Sequence, residues 1–103
     1  MARTLKTWIS RAKPGRVDDA MALFKEAKES ASDAEVSLVY ADSAGEYSGT
    51  FTLVAAFESA AAAGKANDSS MDSEAGQALW RKFNDADSPI EAVATATYTS
   101  VDL

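Results

Sequence analysis

Residues 35–57 read EVSLVYADSAGEYSGTFTLVAAF. Val36, Leu38 and Tyr40 recur at every second position in the first part, and Phe51, Leu53, Ala55 and Phe57 do so in the last. A period of two marks a strand with one buried face. Between the two runs lies Asp42 to Ser48, rich in Ser, Gly and acids. Strands joined by so short a polar loop pair antiparallel. The stretch therefore predicts a hairpin, with strands over 35–41 and 49–57.

Upstream, Thr4 to Ala12 also alternates, with Leu5 and Ile9 on one side and Trp8 on the other. Lys13-Pro14-Gly15 ends that strand. Val17, Ala20, Met21, Phe24, Ala27 and Ala31 then repeat at helical spacing, predicting an amphipathic helix over about 16–30. Asp18 and Asp19 fall in its first turn, where the helix dipole favours negative charge. Ser32-Asp33 is expected to end it.

Downstream, Ser59 is placed to cap a second helix from Ala60. Gly64 and Asn67-Asp68-Ser69-Ser70 are expected to interrupt it, with a further helical segment over Ser73–Asn84 carrying Leu79, Trp80 and Phe83. Pro89 prevents helix continuation, and Ile90 to Val101 reads as the last strand. The order is βαββαβ. Right-handed crossovers then give a ferredoxin-like α+β fold, a four-stranded antiparallel sheet with both helices on one face. One domain over 1–103 is expected.

The 103 residues leave room for one core, burying about 65% of the surface that the unfolded chain exposes. Apolar residues are 47% and charged residues 25%, as in ordinary globular domains. The apolar share leans on alanine, so the core of one copy is expected to be thin. With no cysteine there is no disulfide, thiolate site or cysteine nucleophile, and with no histidine the commonest metal ligand and general base are missing. No metal site and no cofactor are expected. A net charge of −6 argues against nucleic acid as partner. No apolar run is longer than the five residues of Leu53 to Phe57, far too short for a membrane span, and no apolar segment follows the basic start as in a targeting peptide. The expected compartment is the cytoplasm.

Alternation assigns Leu5/Ile9, Val36/Leu38/Tyr40, Phe51/Leu53/Phe57 and Ile90/Ala92/Ala94/Ala96/Tyr98 to the side under the helices. The other side then carries Trp8, Ser10, Val39, Ala41, Thr50, Thr52, Val54, Val93, Thr95, Thr97, Thr99 and Val101, with only Lys6 and Glu91 bringing charge. A solvated sheet face normally carries several charges. The expectation is a homodimer with two such faces stacked.

The passage Thr7-Trp8-Ile9-Ser10-Arg11-Ala12-Lys13-Pro14-Gly15-Arg16, the Ser48-Gly49-Thr50 entry to the third strand and the Asp87-Ser88-Pro89 entry to the fourth resemble the dimeric α/β-barrel superfamily. The likeness is to its NIPSNAP-like and uncharacterised bacterial branches and covers nearly the whole chain. The superfamily includes cofactor-free monooxygenases, muconolactone isomerases, EthD-type proteins, haem enzymes and stress-responsive proteins. The haem members rely on a histidine that this chain lacks. No catalytic motif is matched position by position, so the resemblance transfers no catalytic residue and leaves open whether the protein is an enzyme.

Three groups of residues are candidates for chemistry. Tyr40, Trp80, Phe83 and Tyr98, with Asn67 or Asn84 as polar contact, can wall a pocket for a small apolar ligand between sheet and helices. Bound there, a phenolic aromatic or polyketide-like substrate can supply its own electrons for cofactor-independent oxygenation. Arg11, Lys13 and Arg16 around the Gly15 turn can form an anion site at the first helix. Asp42 and Glu46, beside Tyr47, offer an acid/base pair. The bland counterparts are core for Phe83, core or rim for Trp80, caps for the asparagines and solvated loop for the charges. A purely structural or stress-related dimer is the non-enzymatic alternative.

Overall fold

The computed structural model describes residues 2–31, 34–43 and 45–103. Leu38 lies opposite Leu53, Val36 opposite Ala55 and Tyr40 opposite Phe51, so the central hairpin forms in the phase its alternation dictates. Its strands are β2 (Glu35–Tyr40) and β3 (Phe51–Phe57). The remaining elements are β1 (Thr4–Ala12), α1 (Val17–Ser30), α2 (Ala60–Asp72), α3 (Glu74–Asn84) and β4 (Ile90–Thr99). The strands form one antiparallel sheet in the order β2-β3-β1-β4.

The connecting loop of the hairpin holds a 3-10 turn at Gly45–Tyr47 and is closed by Thr50. The Thr50 hydroxyl donates to the Tyr47 carbonyl at 2.7 Å and the residue is 1% exposed. Gly49 has φ +81°, a backbone region that L residues other than glycine avoid.

α1 packs Ala20, Leu23 and Phe24 against Leu53 and Ile90, with Leu79 and Phe83 of α3 and Phe51 closing around them. Phe24 lies 5.7 Å from Phe51 and 6.3 Å from Phe83, ring to ring. A second cluster joins Ala63 of α2 to Ala55 and Phe57. Of the buried apolar residues Ala20, Leu23, Phe24, Leu53, Ala55, Phe57, Ala63 and Ile90, three are alanines, so the core is thin, as the composition implies.

Two readings of the sequence are corrected. The second helix is not interrupted at Gly64 or at Asn67–Ser70: α2 runs unbroken from Ala60 to Asp72. Ser59 caps it, accepting from the Ala62 N–H at 3.1 Å. Asn67, Asp68, Ser69 and Ser70 are exposed there, where water solvates their side chains. The break falls at Ser73, extended at φ −103° and ψ 147°. Its hydroxyl donates to the Ser70 carbonyl and accepts from the Gly76 N–H, closing one helix and opening the next. The first helix ends at Ser30, and Ser32-Asp33 lie outside the described residues.

The second correction concerns faces. Residues directly opposed in an antiparallel pair share a face. Thr4, Lys6, Trp8 and Ser10 oppose Phe57, Ala55, Leu53 and Phe51, which places them on the helix side, with Ala12 packed against the core. Leu5 and Ile9 lie on the far side. β1 carries apolar residues on both parities, so its own alternation cannot choose; pairing with β3 does. In β4 the register shifts between Ile9 and Ser10. An extra residue flips the phase. Ile90 and Ala92 face the helices, whereas beyond the bulge Ala94, Ala96 and Tyr98 turn to the far side and Thr95, Thr97 and Thr99 to the helix side.

The far face thus comprises Ser37 and Val39, Thr52, Val54 and Ala56, Leu5, Thr7 and Ile9, then Ala94, Ala96 and Tyr98. Lys6 does not belong to it. Its charges stand at the ends of strands: Glu35, 3.4 Å from Arg3, and the pair Arg11 and Glu91.

Candidate functional site

The helices cover the sheet unevenly. Both buried clusters draw on β3, while β1 and β4 reach them only through Ala12 and Ile90. The rest of the β1–β4 floor on the helix side is Thr4, Lys6, Trp8, Ser10, Ala92, Thr95, Thr97 and Thr99. Ser10 and Thr4 are buried, Lys6 is half-buried, and the three threonines are exposed. Trp8, between Leu53 and Thr95 in register, keeps 38% of its surface open. A large aromatic, a primary ammonium and a row of hydroxyls thus share one open strip of the sheet. An indole face offers stacking area to a planar ligand and the hydroxyls can donate or accept. Among the described residues every buried side-chain N or O has a hydrogen-bond partner, so the open polar groups here are the surface hydroxyls and the Lys6 ammonium.

A separate recess of about 470 Å³ lies at the hairpin end of the sheet, lined by Ala12, Val17, Tyr40, Gly49 and Phe51. The Tyr40 ring sits 5.0 Å from that of Phe51.

The five residues expected to wall one pocket do not converge. Phe83 belongs to the core beside Phe24. Tyr40 lines the recess at the hairpin end. Tyr98, opposite Leu5, is on the far face of the sheet and 53% exposed. Trp80 is 56% exposed on α3, and Asn67 is exposed on α2. The Asn84 side-chain amide donates to the Trp80 carbonyl at 2.8 Å, a local helix-end bond.

The three cations around the first turn hold loops. Arg11 donates to the Glu46 and Ser48 carbonyls at 2.8 and 3.1 Å, tying β1 to the hairpin loop. Lys13 donates to the Ala86 carbonyl at 2.8 Å, and Arg16 to the Asp87 carbonyl at 2.7 Å and to Asp19 at 3.0 Å. Together these latch the start of α1 to the turn before β4. Asp42, Glu46 and Tyr47 are exposed in the hairpin loop.

Trp8, Lys6, Thr95 and Thr97 were missing from the sequence-derived pocket because their parity was assigned to the far face. The signal that could have placed them was the second parity of β1, where Trp8 and Ala12 are also apolar.

No family model matches the chain, and no curated protein matches it. Solved structures do. A candidate antibiotic biosynthesis monooxygenase from Chloroflexus aurantiacus superposes with a TM-score of 0.64 at 13% identity, covering 97% of this chain and 94% of that one. An uncharacterised NIPSNAP-like domain protein from Burkholderia xenovorans gives 0.65 at 8% identity, over 98% and 85%. A NIPSNAP family protein of unknown function from Agrobacterium tumefaciens gives 0.61 at 14%, over 97% and 86%. Identities this low speak for the backbone alone. The sheet order, the helices on one face and these superpositions together give the chain a ferredoxin-like α+β fold, shared with its monooxygenase-like and NIPSNAP-like structural neighbours.

Proposed function

We propose that the protein is a homodimer, joined through its far sheet faces, that binds a small and largely apolar aromatic molecule on the Trp8 strip. The observation that carries the binding reading is the open indole of Trp8 on the helix side, flanked in register by Lys6 and the threonine row. The indole stands 38% exposed on the helix side, beside rather than beneath the helices that cover β3. Stacking on the indole and hydroxyl contacts along β4 fit a planar ring with few polar groups.

Association is supported by the far face, whose body holds Leu5, Ile9, Val39, Val54, Ala94, Ala96 and Tyr98 without a charge. Contiguous apolar surface of this kind marks an interaction site. The molecule is a slab of 41 × 37 × 18 Å, so its broad face exceeds the roughly 800 Å² per partner of a standard interface.

A second reading is cofactor-independent oxygenation or isomerisation of such a molecule. It is favoured by the fold likeness to the candidate monooxygenase from Chloroflexus aurantiacus and by Lys6, whose ammonium can stabilise a phenolate on the strip.

Trp80→Phe leaves Trp8 as the lone indole, and its emission can be titrated with a panel of dihydroxyaromatics. A saturable change with a Kd on the order of 10 µM is expected, and the heat of binding of the same ligand in calorimetry is expected to be lost in Trp8→Ala. An unchanged spectrum up to millimolar concentrations of every member sinks the binding reading. Oxygen uptake or product formation with a bound member separates the enzyme from the binding protein, and its absence leaves binding alone.

A further inference from the structure

The sheet has two edges, β2 and β4. β2 has six residues and starts at Glu35. β4 has ten, and from Ala92 to Thr99 it carries no charge and no proline. Natural edges are usually blunted by lysine, proline or shortness, since free N–H and C=O groups recruit another strand. This one has none of those devices.

The phase of the free groups follows from one bond. The Ser100 N–H donates to the Arg3 carbonyl at 2.9 Å, so Arg3 and Ser100 form a hydrogen-bonded pair. Such pairs alternate along an antiparallel ladder. Leu5–Tyr98, Thr7–Ala96 and Ile9–Ala94 are therefore the pairs that exchange bonds with β1. Thr95, Thr97 and Thr99 turn their backbone N–H and C=O outward.

We infer that β4 pairs antiparallel with β4 of a second copy, about a twofold axis at Thr97, extending two sheets into one. In this register Thr97 faces Thr97 of the partner subunit, Thr95 faces the partner's Thr99, and Ala96 faces the partner's Tyr98. Val93 and Val101, 39% and 78% exposed, meet across the axis. The three outward threonines become a continuous cross-strand row, a favourable pairing on a sheet. The regular ladder runs from Ala94 to Ser100, ends at the bulge at Val93 and holds no charged side chain. A second copy is favoured over a foreign extended peptide by this self-complementarity. The edge is a different surface from the far face, and the pairing holds whether or not the faces stack.

The chain has no cysteine, so Thr97→Cys provides a unique thiol. Facing residues of a hydrogen-bonded pair lie about 5.5 Å apart at Cα, within disulfide range. Made in the Val54→Lys background, where contact between far faces is disabled, T97C is expected to form a cross-linked dimer about tenfold faster under mild oxidation than Ser69→Cys on the exposed side of α2. In the same Val54→Lys background, with Thr97 kept, the Thr97 amide is expected to exchange about tenfold more slowly at high than at low protein concentration. Equal cross-linking at both positions, or exchange at Thr97 independent of concentration, overturns the pairing.

Discussion

A Cβ on Gly76 would lie 2.7 Å from the Ser70 carbonyl carbon and 2.7 Å from the Ser70 hydroxyl oxygen, and would also collide with the Ser70 carbonyl oxygen. Two of those atoms are backbone at the end of α2 and cannot swing away. In an ordinary helix Gly→Ala stabilises by about 1 kcal/mol. Here the sign reverses: Gly76→Ala is expected to cost about 2 kcal/mol, because the α2–α3 junction must open to admit the methyl group. Urea denaturation measures it, and a variant at least as stable as the parent would show that the junction is loose. Phe24 presents the opposite case, a ring with 3% exposure between Phe51 and Phe83. Phe24→Ala is expected to cost about 4 kcal/mol, a large share of the stability of so thin a core, read from the same denaturation curves. Phe24 was legible from its helical spacing alone. Gly76 was not, since the atoms that exclude a side chain come from another turn of chain brought back by the Ser73 cap.

Between elements, the cations at the end of β1 act as latches. Arg11 reaches two carbonyls of the hairpin loop, and Lys13 and Arg16 reach the turn before β4. A charged donor strengthens each of these bonds. Arg11→Met keeps the aliphatic stem and removes both bonds to the loop. The expected result is a global loss of about 1 kcal/mol, with a larger local effect. Cleavage after Glu46 by a Glu-specific protease should accelerate several-fold, on the order of fivefold, while cleavage after Glu91 stays slow. The spacing of Arg11, Lys13 and Arg16 is visible in the sequence, but their partners lie more than thirty and more than seventy residues away. Strand existence followed a similar rule. The period of β1 and the phase of the central hairpin are local properties and were readable, whereas the bulge opposite Ile9/Ser10 depends on how β4 meets β1.

At the scale of the molecule, the radius of gyration is 14.0 Å, against about 13 Å for a compact domain of this length. The excess reflects a flat shape, only 18 Å thick, with one sheet face uncovered. If that face is buried in a dimer, folding is coupled to association and apparent stability depends on concentration. Sizing at micromolar concentration is expected to give about twice the 10.8 kDa chain mass, and each tenfold dilution to lower stability by about 1.4 kcal/mol of dimer. Val54→Lys, placing a charge at the middle of the far face opposite Thr7 and Ser37, is expected to reduce both effects to what β4 edge pairing alone supplies, without unfolding the chain. A parent that elutes at the monomer mass, with a melting temperature indifferent to dilution, would remove the far-face dimer.

Local order was written in the residues themselves: periods of two and of nearly four, the Ser59 cap, and the stops at Pro14 and Pro89 bring strands and helices into being wherever they stand. Which side of β1 and β4 meets the helices was decided only in the folded sheet. A strand apolar on both parities has no face of its own until a neighbour sets its register, and one inserted residue in β4 exchanges the two sides. Pairing with β3 turns Trp8 from the far face to the helix side, and the inserted residue turns Tyr98 from the helix side to the far face.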